Sequence, residues 1–197
     1  MEYPLMEPPF ETKPFEKMSK EEAQLHFEWY LKEIPERVEL IKNAYFETNG
    51  GNIFDLDKTP QSLKKIWKWF LTIFEVVEKT DKEISEENEA VPDWLNDDIY
   101  SNNKKMSMGT QSIAMDIAIY FGEVFINEFE KIKWGYKTKP KSLVYLNKPV
   151  LVGFESGTEL DPSRVVYNLC LDEIDGETNQ NALYELFEIW KSDVYLN

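Results

Sequence analysis

The chain of 197 residues is 42% hydrophobic and 14% aromatic, which suits one globular domain with a real core. Its formal net charge of −15, with a pI near 4.6, opposes binding to phosphate backbones, so no nucleic-acid partner is expected. A single cysteine, Cys170, excludes an internal disulfide framework, and no apolar run approaches the roughly 18 to 20 residues of a membrane span.

The opening MEYPLMEPPFETKPFEK has no basic segment followed by an apolar one, so a cytoplasmic location and no membrane partner are the expectation. Residues 1–18 contain Pro4, Pro8, Pro9 and Pro14 and read as an irregular arm, docked on the body through Phe10 and Phe15. Residues 19–197 read as a single α+β domain. Ser19 with Glu22 forms a capping box. The helix that follows places Ala23, Phe27, Tyr30, Leu31 and Ile34 on one face, and Pro35 is expected to interrupt it. PERVELIKNAYF then reads as a second helix or a kinked continuation, ended by TNGGN.

Thr59 and Pro60 mark the next helix start. Its main face is Leu63, Ile66, Trp67, Phe70, Phe74 and Val77, and Trp69, Ile73 and Val76 make a second apolar face. KEISEENEAVPDWLNDD, Lys82 to Asp98, carries seven acidic residues against one lysine. SNNKKMSMG reads as a turn, and residues 110–130 as a long apolar helix.

Beyond it the pattern changes. KIKWGYKT, SLVYL and VLVGF read as short strands. Asp161, Pro162 and Gly176 bracket a helix, although VVYNLCL alone also fits a strand. A last helix, about 179–194, packs Leu183, Leu186, Phe187, Trp190 and Val194. The sum is a mainly helical α+β domain, with a small two- to three-stranded sheet between the long central helix and the C-terminal helices.

Within the central helix, Asp116, Tyr120, Glu123 and Asn127 recur at steps of 4, 3 and 4 and form one polar stripe, extended by Ser112. The two carboxylates lie roughly 10 Å apart along the axis, too far for a retaining glycosidase pair. The stripe is either a hydrogen-bonded or solvated edge of a buried helix, or the floor of a groove that receives a partner or ligand. Gly122 beside it admits close approach by another backbone. Trp134 and Tyr136 in WGY form a recognition patch if exposed beside Glu123. The acidic run, through Glu86, Glu87, Trp94, Asp97 and Asp98, offers a surface to a basic protein partner, although such runs are commonly plain solvated surface.

Catalytic sets are scarce. DLDKT, Asp55 to Thr59, resembles the first motif of haloacid-dehalogenase-type phosphatases, in which two aspartates serve as nucleophile and acid/base and hold magnesium. NDD at 96–98 resembles that family's late acidic pair. The Gly-rich lead-in and the order of elements do not fit the family's parallel sheet. His26 is the only histidine, which removes a Ser-His-Asp triad and His-rich zinc sites. His26 reads as a boundary residue and Cys170 as a buried structural cysteine. No cofactor, metal ligand or catalytic residue is assigned.

DKTPQSLKKIWKWFL together with AMDIAIYFGEVFINEFEKIKWGYKTKPK and NKPVLVGF, over residues 60–154, resembles a family of small bacterial proteins of unknown function, some of them immunity-protein-like domains encoded beside toxins. The resemblance implies a compact intracellular α+β protein and carries over no functional residue. The expectation is a non-enzymatic protein that acts by protein–protein binding. One alternative is an immunity or antitoxin protein masking a basic toxin; another is a carboxylate- or metal-dependent hydrolase.

Overall fold

The computed structural model describes residues 3–90 and 103–195, without the side chains of 87–90. Its helices are α1 (Lys20–Glu47), α2 (Pro60–Ile73), α3 (Asp81–Ala90), α4 (Met108–Glu128), α5 (Pro162–Ile174) and α6 (Ala182–Lys191). Among the described residues four short strands, β1 (Val76–Glu78), β2 (Lys104–Met106), β3 (Lys133–Gly135) and β4 (Val150–Val152), form two antiparallel pairs. In register, Val76 faces Met106 and Trp134 faces Leu151. The fold is thus mainly helical α+β. One pair lies after α4 in the chain; the other, β1–β2, precedes it.

Helix α4 is the centre. Of its 21 residues, Ile117, Ile119, Tyr120, Phe121, Val124 and Phe125 have no exposed surface, and α1, α2 and α5 all pack on it. Phe125 is the aromatic hub, 4.5 Å from Phe187 of α6 and 5.2 Å from Phe121 between ring centres. Burying side chains of this size supplies about 1.5–3 kcal/mol each. Helix α6 closes the other side of α2, with the Trp67 indole donating to the Asn179 carbonyl at 3.0 Å. No helix among the described residues is long and apolar enough to cross a membrane.

Several local expectations hold and several change. Ser19 and Glu22 exchange both capping-box bonds. Pro35 does not interrupt α1, which runs unbroken for 28 residues. Pro35 lies on the exposed face, where water can satisfy the Leu31 carbonyl that proline leaves without a donor. Leu31 is exposed on that face rather than buried, and Phe27 is half-buried. Helix α2 stops at Ile73, four residues short of Val77. The Glu75 backbone bonds to Thr110 of α4 on both its N–H and its carbonyl, and Val76 to Glu78 then pair with residues of SNNKKMSMG as strand rather than turn. SLVYL forms turns rather than a strand: Val144 is exposed, and the segment makes a single bridge, Leu146 to Lys137. VVYNLCL is helical, capped by Asp161, whose carboxylate accepts from the Arg164 N–H at 3.1 Å.

The N-terminal arm docks as expected, Phe10 on Trp29 and Phe15 on His26. Asn147 ties it further by donating to the Phe15 carbonyl at 2.7 Å.

Candidate functional site

The polar stripe of α4 is an internal clamp. Asp116 is fully buried and accepts from Arg37 Nε at 2.7 Å and from the Tyr3 hydroxyl. Arg37 is itself buried on α1, and its terminal nitrogen reaches the Pro4 carbonyl at 3.0 Å. One buried ion pair therefore holds α1, α4 and the N-terminal arm together. Burial raises the Asp116 carboxyl to about 6, against Arg37 and Tyr3, which pull it down. The same burial, with Asp116 alongside, pushes the Tyr3 hydroxyl upward.

The rest of the stripe converges on one residue, Lys58. The Tyr120 hydroxyl accepts from the Lys58 N–H at 2.9 Å and donates to Ser62 Oγ at 2.7 Å, whose own proton goes to the Thr59 carbonyl. Glu123 takes the Lys58 ammonium at 2.8 Å, and Asn127 donates to the Lys58 carbonyl at 3.2 Å. Residues 3, 4 and 7 apart on one helix face thus grip the three polar groups of one loop residue. The loop needs this grip because Lys58 sits at φ 61, a left-handed conformation that costs a non-glycine residue roughly 1 kcal/mol. The clamp fixes the entry to α2.

Trp134 and Tyr136 turn inward. The Trp134 indole lies across Gly122, donates to Glu123 at 3.1 Å and meets Tyr30 edge-on at 5.3 Å. The close approach at Gly122 is therefore made by a side chain, not by a backbone. Tyr136 packs on Phe27 at 4.7 Å. The structure commits each of Asp116, Tyr120, Glu123, Asn127 and Trp134 to an internal bond, Asp116 in the pair with Arg37 and the other four around Lys58 and Glu123.

In DLDKT the two aspartates serve the chain locally. Asp55 bonds Lys65 at 2.7 Å and the Asn52 N–H at 2.9 Å, and Asp57 caps Thr59 through both N–H and hydroxyl. The segment joins a short 3₁₀ helix (Ile53–Asp55) to α2, not a parallel strand to a helix. No group of three or more His, Cys, Asp or Glu among the described residues is placed to hold a metal. Cys170 is buried, and burial pushes its thiol up to about 12.

Of the acidic run, Glu83 pairs with Lys105 and caps α3 at Thr80, which holds its carboxyl down at about 2. Glu86 is exposed and lies 3.6 Å from Lys82. The Glu87 side chain and Trp94, Asp97 and Asp98 lie outside the described residues, as does NDD.

Two features escape a reading by periodicity. His26 is buried rather than at the boundary, and its Nδ1 has no hydrogen-bond partner among the described residues. Phe46, Ile53 and Phe54 sit at the corner where α1 turns into the 3₁₀ helix and are exposed, Phe54 by 81%. Aromatic residues beside a turn are the only sequence signal for that corner. No protein-family model, curated protein sequence or solved structure matches the chain.

Proposed function

We propose that the chain is a non-enzymatic binding protein of the cytoplasm that acts by contact with a basic protein. The observation that carries this reading is the exposed corner of Phe46, Ile53 and Phe54 on a surface of net charge −15. A phenylalanine left 81% exposed contributes little to the fold by burial and supplies the kind of aromatic anchor that dominates many interfaces. The acidic surface steers a basic partner toward that anchor. The likeness of residues 60–154 to immunity-protein-like domains supports a narrower form, in which the partner is a basic toxin encoded beside this chain.

The test is affinity capture of the basic product of a neighbouring gene at low and high salt, with wild type and the Phe46→Ala/Phe54→Ala double variant. Wild type should retain the partner at low salt and lose much of it at high salt, because exposed charges are screened within about 10 Å at 0.1 M. The double variant should lose it at both while melting at the wild-type temperature. Retention that ignores both salt and the double substitution would defeat the proposal.

A further inference from the structure

A groove of about 720 Å³ lies between the N-terminal arm, α1 and the start of α5, away from the Lys58 clamp and from the Phe54 corner. Its apolar wall includes Phe15, Trp29, Tyr30 and Met115. Its volume falls within the range of small-molecule sites, roughly 300–1,000 Å³.

Three features give it a chemical preference. First, its charged lining runs against the charge of the chain: Lys13, Lys148 and Arg164 face one carboxylate, Asp161. Lys13 is engaged by Glu22 at 2.6 Å, but Lys148 and Arg164 form no ion pair with any described residue. Second, Asp161 is bound to the Arg164 N–H at the start of α5 and leaves the guanidinium fork free for a planar anion. Third, His26 lines the same groove between Phe15 and Trp29, with ring centres at 4.9 and 5.3 Å, and its buried Nδ1 has no partner among the described residues. A buried polar atom without a partner is costly and asks for an explanation.

We propose that this groove binds a small aromatic carboxylate, with its ring against Phe15 and Trp29 and its carboxylate at Arg164 and Lys148. The aromatic walls favour a flat ring in offset or edge-on contact. A monoanion suits the site better than a phosphate ester, because Asp161 repels the second charge. This site is independent of the partner surface at Phe54.

The experiment is isothermal titration of the full chain at pH 7 with 1-naphthylacetate, its uncharged amide and 1-naphthyl phosphate. The acetate should bind saturably at one site, and the amide about tenfold more weakly. The Arg164→Gln/Lys148→Gln variant should bind the acetate about tenfold more weakly at an unchanged melting temperature. Met115→Trp, which fills the groove, should abolish binding, and Phe46→Ala/Phe54→Ala should leave it intact. No saturable binding at millimolar acetate, equal binding of the amide, tighter binding of the phosphate, or binding that survives both groove variants would overturn the assignment.

Discussion

Arg37 donates to Asp116 across 79 residues of chain, and the two side chains keep 5% and 0% of their surface exposed. A buried pair of this kind stabilises little relative to apolar side chains, but removing one partner strands the other charge. Asp116→Ala should therefore cost about 3–5 kcal/mol, a fall of roughly 10 °C in Tm for a chain of this size. The double variant Arg37→Met/Asp116→Leu should recover most of that loss. Because Tyr3 and Pro4 are held by the same pair, Asp116→Ala should also speed tryptic cleavage of the arm at Lys17; Lys13 precedes Pro14, a bond trypsin does not cut. Thermal melts and limited trypsinolysis check both parts. An arm cut at the wild-type rate would show that the pair does not anchor it.

Asp116 and His26, both buried, should bend the pH profile in opposite senses. Burial raises Asp116 from 3.8 to about 6, so the folded chain binds a proton that the unfolded chain releases between about pH 6 and 4. Acidification through that window favours the folded form through this group. Burial lowers His26 below its ordinary 6.5, so the unfolded chain takes up the proton first. Its contribution is complete above pH 6.5 and is lost as the pH falls toward its folded value. Relative to Asp116→Asn, wild-type Tm should rise from pH 6 to 4. Relative to His26→Leu, it should fall as the pH drops below 6.5. Melts of the three proteins across pH 4–8 decide it, and parallel profiles would rule out both assignments.

The stripe was legible because helical period alone aligns Asp116, Tyr120, Glu123 and Asn127. Its purpose was not, because the groups it binds lie far off in the chain: Tyr3 at 113 residues, Arg37 at 79 and Lys58 at 65. Local spacing shows that four polar side chains share a face; it does not show what closes over them. The same limit explains Val76 and Val77, which fit the period of α2 until pairing with residues 104–106 and the Thr110 hydroxyl at Glu75 take them into a strand. Caps were easier to read because the Ser19–Glu22 and Asp161–Arg164 bonds span three residues each. The groove was out of reach because its walls come from the arm, α1 and α5.

Gly122 gives a steric prediction of known sign. A Cβ there would sit 2.4 Å from Cζ2 of Trp134, whose ring is pinned between the helix, Glu123 and Tyr30. Alanine gains about 1 kcal/mol of helix propensity over glycine. The displaced indole should cost more, since overpacking typically costs about 1–3 kcal/mol and the bond to Glu123 adds about 1. Gly122→Ala should thus destabilise by about 1–3 kcal/mol net, and Gly122→Ala/Trp134→Ala should show less than the sum of the single effects. A stabilised Gly122→Ala would mean that the indole is not held where the structure places it.

The grip on Lys58 can be opened one bond at a time. Tyr120→Phe removes the oxygen that accepts from the Lys58 N–H and pairs with Ser62 Oγ, while Ser62 keeps its bond to the Thr59 carbonyl at 2.6 Å. The ring remains in the core, so the loss is that of an unsatisfied backbone donor, about 1–3 kcal/mol. Lys58→Gly acts differently. It relieves the strain at φ 61 and keeps both backbone bonds, but it releases Glu123 from its ammonium partner. Relief of the left-handed strain contributes about 1 kcal/mol, and the ion pair, with 33% of the Lys58 and 15% of the Glu123 side chain exposed and the Trp134 indole still donating to Glu123, contributes about the same. Lys58→Gly should therefore lie within about 1 kcal/mol of wild type, whereas Lys58→Ala keeps the strain, loses the pair and should be the less stable of the two. Amide exchange at residues 58–62 reads the loop directly: it should rise in Tyr120→Phe and stay near wild type in Lys58→Gly. The opposite order would place the hold on the loop in the ion pair rather than in the backbone bonds.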